Sequence, residues 1–484
     1  MELTNRSTET RLYGDVAVRR ACESARKLER AGDYEGARLE LRKFWTKIGE
    51  RPVVDHLPSA TRAEALLRVG SLSGWLGSEK QIPGAQEFAR DLLSESVRLF
   101  ESLGQPDKRA EAMTDLALCY WRSGMQDNGR VYFQQALETA QAAETKLRTL
   151  TCASTVEISS GRYDDALALL DKAAAFLEEV TDEASHGCYH SQRGSAYISL
   201  GGMENLDRGL VEYSAASMHF ANAGHVRYLA RVENNIGYTL LELGRTREAL
   251  PHLNKAGRIF ISFKDSGSVA QVNETRARVL LAEKRFAEAE RAILNAVTVL
   301  EEGDDHSLLA EALTTQGSVF AGSGKYDSAR KAFNRASDVA AAADDSHLAA
   351  VAQLRMIEEM AGVLSRDELL AAYRNADQYV GEDASQSDLE RLRLCHRIVM
   401  NNIENVRINE GELIGGTLEQ QVNHFEAWLI ARELEQANGS VTRAARKLGV
   451  SHSGLSKMVA GRHSETLGGA RRPKRERRKR ILLR

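Results

Sequence analysis

The side chains most clearly spaced for chemistry lie near the end of the sequence, where residues 437–459 read ANGSVTRAARKLGVSHSGLSKMV. Residues 440–460 contain Arg443, Arg446, Lys447 and Lys457 and no acid. The hydroxyls of Ser440, Thr442, Ser453 and Ser456 and the imidazole of His452 stand among these bases. A further run, RRPKRERRKRILLR (471–484), adds nine bases, beginning with Arg471, Arg472, Lys474 and Arg475. Guanidinium and ammonium groups beside neutral donors suit the oxygens of a polyanion.

Two other stretches invite a chemical reading and do not sustain it. SHGCYH places His186, Cys188 and His190 close together, with the two histidines four apart on one helical face. A structural metal site needs a fourth ligand and none is evident, so no metal is expected. AGSGKYDS (321–328) has a Gly-Lys step, but a phosphate-cradling loop needs glycine where Val319 stands and serine or threonine where Tyr326 stands. A turn fits better. No catalytic set or cofactor motif is recognisable, and the chain is expected not to be an enzyme.

Composition sets what must position these residues. There are six prolines in 484 residues, and interior prolines break helices, so an all-α protein is expected. Five scattered cysteines, Cys22, Cys119, Cys152, Cys188 and Cys395, suit reduced thiols in the cytoplasm. No apolar run is long enough for a membrane span, and the first residues show no secretory signal. Of 65 bases and 68 acids, 14 and two fall in residues 440–484, which leaves 51 and 66 for the rest. An acidic body therefore precedes a basic end, and an anionic partner is expected for that end alone.

The body is one pattern repeated: AGDYEGARLEL (31–41), SGRYDDALALLDKA (160–173), LGRTREALPHLNKA (243–256), EKRFAEAERAILNA (283–296) and SGKYDSARKAFNRA (323–336). A breaker is followed by alanine five residues later and a second alanine after seven more. Breakers fall at Gly32, Gly124, Gly161, Gly201, Gly244, Lys284, Gly324 and Leu364, near a 40-residue spacing. Seven residues before each of six of them stands a small residue, as at Ala117, Ser154, Gly194, Gly237, Ala277 and Gly317. GSEKQIPGA (77–85) reads as an extended turn, and GGMENLDRG (201–209) as an insertion of about three residues. The pattern resembles the tetratricopeptide repeat, whose usual period is about 34 residues. About nine helical hairpins over residues 15–382 are expected to form an α-solenoid. The resemblance implies that the first helix of each hairpin lines a concave groove. Its lining would be Thr114, Thr151, Thr155, Ser191, Ser195, Asn234, Tyr238, Thr314 and Ser318, a neutral wall suited to a protein, peptide or small polar ligand.

Beyond the repeats, residues 387–406 read as a capping helix with Leu389, Leu392, Ile398, Val399 and Ile403 inward, and 407–416 as a linker. A domain over 417–462 follows. Its first helix carries the stripe Leu418, Val422, Phe425, Leu429 and Arg432, and Asn438-Gly439 stops it. Ser440 caps a second helix with Ala444, Ala445 and Leu448 inward. Gly449 ends that helix, Val450 plugs the turn, and Ser451 caps a third with Leu455 and Val459 inward. These residues resemble the Fis-type helix-turn-helix of bacterial transcriptional regulators. Gly454 inside the third helix is a departure, since glycine there costs about 1 kcal/mol against alanine.

The resemblance implies binding to double-stranded DNA. His452, Ser453, Ser456 and Lys457 would read base edges. Ser440, Thr442, Arg443, Arg446, Lys447 and the bases of a tail over 463–484 would meet phosphate. A homodimer through the helix bearing Leu418, Val422, Phe425 and Leu429, a cytoplasmic, nucleoid-associated location and no membrane contact are expected with it. The rival reading is a repeat scaffold whose basic end binds nucleic acid or lipid without specificity.

Overall fold

Glycines at left-handed φ set the punctuation of the chain, as a computed structural model shows. It describes residues 14–80, 82–303, 305–380, 386–404, 418–437 and 439–463. Gly32, Gly124, Gly161, Gly201, Gly244 and Gly324 take φ between 71 and 76°. The next residue's N–H usually bonds back five positions, as in Arg245 to the Leu240 carbonyl at 2.8 Å and Lys325 to Phe320 at 2.9 Å. This closes one helix and releases the next. Lys284 serves the same turn at φ 59°, and Arg285 N–H bonds the Leu280 carbonyl at 2.8 Å.

Among the described residues eighteen α-helices follow before the end segment: α1 (Asp15–Arg30), α2 (Tyr34–Leu41), α3 (Ser59–Glu79), α4 (Ala85–Ser102), α5 (Pro106–Arg122), α6 (Gln126–Thr139), α7 (Ala143–Ser159), α8 (Tyr163–Ala174), α9 (Glu183–Leu200), α10 (Met203–Asn222), α11 (Val226–Glu242), α12 (Thr246–Ser262), α13 (Ser266–Ala282), α14 (Phe286–Glu301), α15 (His306–Gly322), α16 (Tyr326–Ala342), α17 (Ser346–Met360) and α18 (Arg366–Tyr379). Each odd helix packs on the even helix after it and, from α1 to α9 and α11 to α17, on the next odd helix. Two layers result. The odd layer is the inner one, because the α1–α2 turn reaches α11 across it: Tyr34 and Tyr228 share a hydroxyl hydrogen bond of 3.2 Å.

The small residues of the pattern sit where the helices of a hairpin cross. A Cβ on Gly317 would stand 2.7 Å from the Phe333 ring, and one on Gly237 2.5 Å from Leu253. The recurring alanines Ala37, Ala166, Ala249, Ala289 and Ala329, with Ala173, Ala256, Ala296 and Ala336, are completely buried. The three inserted residues after Gly201 extend α10 to 20 residues, where α12 and α16 have 17, so the insertion is absorbed as extra helix. The turn assigned to Leu364 is built otherwise. Leu364 is buried, and Ser365 starts α18 with a capping box closed by Glu368.

Helix α19 (Gln386–Glu404) packs Leu392 and Cys395 inward, and Arg391 pairs with Glu358 of α17 at 2.7 Å. Val399 is also buried, Leu389 and Ile398 are half-buried, and the Ile403 side chain lies outside the described residues.

The chain divides into two compact units, residues 1–396 and 397–484. In the second, α20 (Leu418–Gln436), α21 (Val441–Lys447) and α22 (His452–Ala460) pack around one small core. That core is Ala427, Ile430, Leu434, Ala437, Ala444, Ala445, Leu455 and Val459. Two local expectations fail here. Val450 is 40% exposed and plugs nothing, because the Gly449 turn (φ 64°) points its side chain outward. Ser440 precedes α21 without a side-chain cap bond. Leu429 is only half-buried and Arg432 is exposed, because the core face of α20 is the row Ala427, Ile430, Leu434 and Ala437. The side chains of Leu418, Val422 and Phe425 lie outside the described residues, as do the linker at 407–416 and the tail from 464 onward. No described helix is long and apolar enough to cross a membrane.

Candidate functional site

The inner layer is more charged than the neutral wall expected of it. Thr114, Thr151, Asn234 and Ser318 are buried, and Thr155, Ser191, Ser195, Tyr238 and Thr314 are half-buried. Several bond internally. Thr114 meets Thr149 at 3.0 Å, Ser195 meets the Tyr213 hydroxyl at 3.0 Å, and Ser318 donates to Glu359 at 2.8 Å. Thr314 donates to the Ala310 carbonyl, and Tyr238 lies 5.1 Å under the Arg278 guanidinium. The unexpected residues stand on the same helices about one turn earlier: Glu111, Arg148, Cys188, Arg231, Gln271 and Glu311 each precede their small residue by six. That register is present in the sequence, but the tetratricopeptide pattern points only to the positions three before and one after the small residue.

In the amino-terminal hairpins these charges form a network. Arg68, 3% exposed, pairs with Glu29, Glu64 and Glu111. Lys108 joins Glu64 at 2.9 Å and Glu111 at 3.2 Å, and Arg148 pairs with Asp115. Burial pushes the Glu29 carboxyl up to about 7 against the opposing pull of Arg68. Burial also works against the charge of Glu111, but Arg68 and Lys108 outweigh it and hold that carboxyl well below its ordinary range. Such a network specifies geometry more than it stabilises, since desolvation offsets much of the attraction. Farther along, Thr315 donates to Glu274 at 2.6 Å. Burial and the neighbouring Glu274 raise Glu311 to about 7, although its side chain remains open to water.

The two stretches set aside above take ordinary places in the fold. His186 Nε2 lies 2.7 Å from the Val180 carbonyl, and His190 and His219 each bond a carboxylate at 2.7 Å, Glu212 and Glu183. The His190 and His219 rings stack at 5.3 Å. No group of three or more His, Cys, Asp or Glu among the described residues could hold a metal. The 321–328 segment is the turn between α15 and α16. All five cysteines are free.

In the second unit, α22 exposes His452, Ser453 and Lys457 in its outer row, while Ser456 is half-buried. Ser451 caps α22 by accepting from Gly454 N–H at 3.0 Å. A Cβ on Gly454 would sit 3.0 Å from that hydroxyl oxygen. Glycine at 454 thus leaves room for the cap. Thr442, Arg443, Arg446 and Lys447 are exposed on α21, and Ser440 is half-buried before it. Arg443 turns back to the Ala437 carbonyl at 2.9 Å, and Lys447 to Gln436 at 3.1 Å. Of the residues assigned to phosphate, Arg471, Arg472, Lys474 and Arg475 lie outside the described residues.

Family models of the tetratricopeptide repeat match residues 110–142 and 268–342. The chain carries tetratricopeptide repeats and is all-helical in its described residues. Among solved structures it is similar to a Rap protein complexed with competence and sporulation factor (14% identity, 81% of this chain and 99% of that one, TM-score 0.47). It is similar also to a signal-transduction ATPase with a tetratricopeptide-repeat sensor from Pyrococcus horikoshii (12%, 84% and 68%, TM-score 0.48) and to yeast Tom70 (12%, 84% and 85%, TM-score 0.41). No curated protein sequence matches it.

Proposed function

We propose that the chain is a sequence-specific DNA-binding transcriptional regulator whose repeat superhelix binds a protein, peptide or small ligand. The observation that carries this reading is the second unit. Two short helices, α21 and α22, meet across a left-handed glycine turn with Ala444 and Ala445 buried at the crossing. The outer row of α22 faces water with a histidine, a serine and a lysine. This arrangement resembles a Fis-type helix-turn-helix, in which such a row enters the major groove, and it supports the reading. The basic end supports it, because neutralised phosphates release counterions and supply affinity. The protein works without catalysis of its own, in the cytoplasm at the nucleoid. It pairs as a homodimer so that two readers span two half-sites.

One observation favours a repeat scaffold with an unspecific basic end. Arg443 bonds back to Ala437, just past α20, and Lys447 to Gln436 at its end, and both must let go before they meet phosphate. Selection of duplex from a random pool by the full-length chain separates the readings. A reproducible motif supports the regulator, whereas uniform binding of duplex, RNA and anionic vesicles supports the scaffold.

A further inference from the structure

A row of cations and rings crosses the inner layer where the first hairpin meets α11, beside the Arg227–Glu79 ion pair that also joins α11 to α3. Arg122, at the end of α5, stands 5.3 Å over the Trp75 ring of α3. Trp75 stacks on Tyr34 at 4.6 Å and lies 6.2 Å from Tyr228 of α11. Arg231, one turn along α11, stands 5.8 Å over Tyr228. The five residues come from four helices and are adjacent only because the α1–α2 turn closes on α11. Among the described residues neither Arg122 nor Arg231 forms an ion pair. The contrast with the neighbouring network is sharp, since Arg68 alone pairs with three carboxylates and Arg148 with Asp115. It is sharper against a body with 66 acids for 51 bases. Arg231 is exposed, and Arg122, Trp75 and Tyr228 are half-buried, so water reaches most of the row.

Neither guanidinium has a carboxylate partner: Arg122 bonds the Cys119 thiol from its place on the Trp75 face, and both cations can turn in-plane donors to an incoming carboxylate. The rings between them offer stacking area to an apolar or aromatic group. We propose that this row binds an extended acidic peptide, with carboxylates at Arg122 and Arg231 and an aromatic side chain between them. The three separations allow the guanidiniums to stand up to roughly five extended residues apart, at about 3.4 Å each. Because Tyr34 belongs to the first hairpin, the bound peptide also holds that hairpin against α11. The proposal rests on the reading of the inner layer as a ligand surface, and it is independent of DNA binding.

The probe is an array of immobilised pentapeptides with phenylalanine at the centre and both ends varied through all twenty residues, exposed to the full-length protein. Aspartate and glutamate should be enriched at both ends, and binding should weaken as salt rises. Arg122→Gln and Arg231→Gln should each weaken capture of the acidic peptides at least tenfold, with the melting temperature monitored to show that both variants fold. Enrichment of basic or neutral ends would overturn the charge assignment. Acidic peptides held equally by wild type and both variants would overturn this site while leaving the inner layer as a ligand surface. No capture of any peptide would overturn the peptide site together with a peptide role for the inner layer.

Discussion

Glu233 on α11 shows how single residues hold the solenoid. Its side chain is 3% exposed and accepts from Ser217 at 2.6 Å and Lys255 at 2.7 Å, with His252 Nδ1 at 2.6 Å. Burial opposes its charge, but these partners outweigh it and hold the carboxyl at about 2. A depressed carboxylate stabilises the fold above its unfolded value and loses that contribution as pH falls through the folded one. Thermal unfolding of wild type against Glu233→Gln should therefore show a deficit of roughly 3 kcal/mol at pH 7, shrinking between about pH 4.5 and pH 2. A deficit independent of pH would mean that the carboxylate's charge is not what holds it. Glu311 behaves in the opposite sense. Its raised carboxyl opposes folding above about pH 7 and ceases to below about pH 4.5. Because its side chain is open to water, Glu311→Gln should raise the melting temperature only slightly at pH 8 and leave it unchanged at pH 4.

At the scale of the element, the turns are legible in the sequence and their distant partners are not. Breaker positions, small crossing residues and buried alanines can be read because each is imposed by a neighbour within one hairpin. Even Lys284 is identified by register alone. Nothing that joins distant hairpins can be read in this way. Nothing at Gly32 announces that its turn lies against His225, yet a Cβ there would stand 2.2 Å from that imidazole. The Gly124 turn has the same φ of 76° with nothing within 4 Å. Gly32→Ala and Gly124→Ala should thus share a backbone cost of about 1–2 kcal/mol. Only Gly32→Ala should also loosen the first hairpin, seen as faster hydrogen exchange in α1 and α2. Equal exchange in the two variants would show that the hairpin does not depend on this contact. The ionic network of the inner layer escapes the sequence for a related reason. Glu111 and Arg148 look like ordinary surface charges until the hairpins are stacked. In the second unit, Val450 and Ser440 depart from expectation because a position in a motif does not by itself specify what the side chain touches.

At the scale of the molecule, an acidic repeat body precedes a basic end, and the proposed regulator divides its labour between them. Deleting residues 471–484 removes up to nine positive charges. Binding to every duplex should weaken together, and the slope of log affinity against log salt should become shallower by about 0.9 for each phosphate no longer neutralised. His452→Ala with Lys457→Ala should act differently, lowering preference for a selected duplex by about 1–3 kcal/mol for each base edge no longer read. If the tail deletion alone removes the preference, α22 packs and does not read.

The most direct test of the central claim is the affinity ratio between a selected duplex and random duplex, measured on the full-length chain at fixed salt, for wild type and for the His452→Ala, Lys457→Ala pair. A specific reader predicts a wild-type ratio of at least about 10³, the lower end for such proteins, falling about tenfold or more in the variant. A wild-type ratio near one, or a high ratio that the double substitution leaves unchanged, would contradict it.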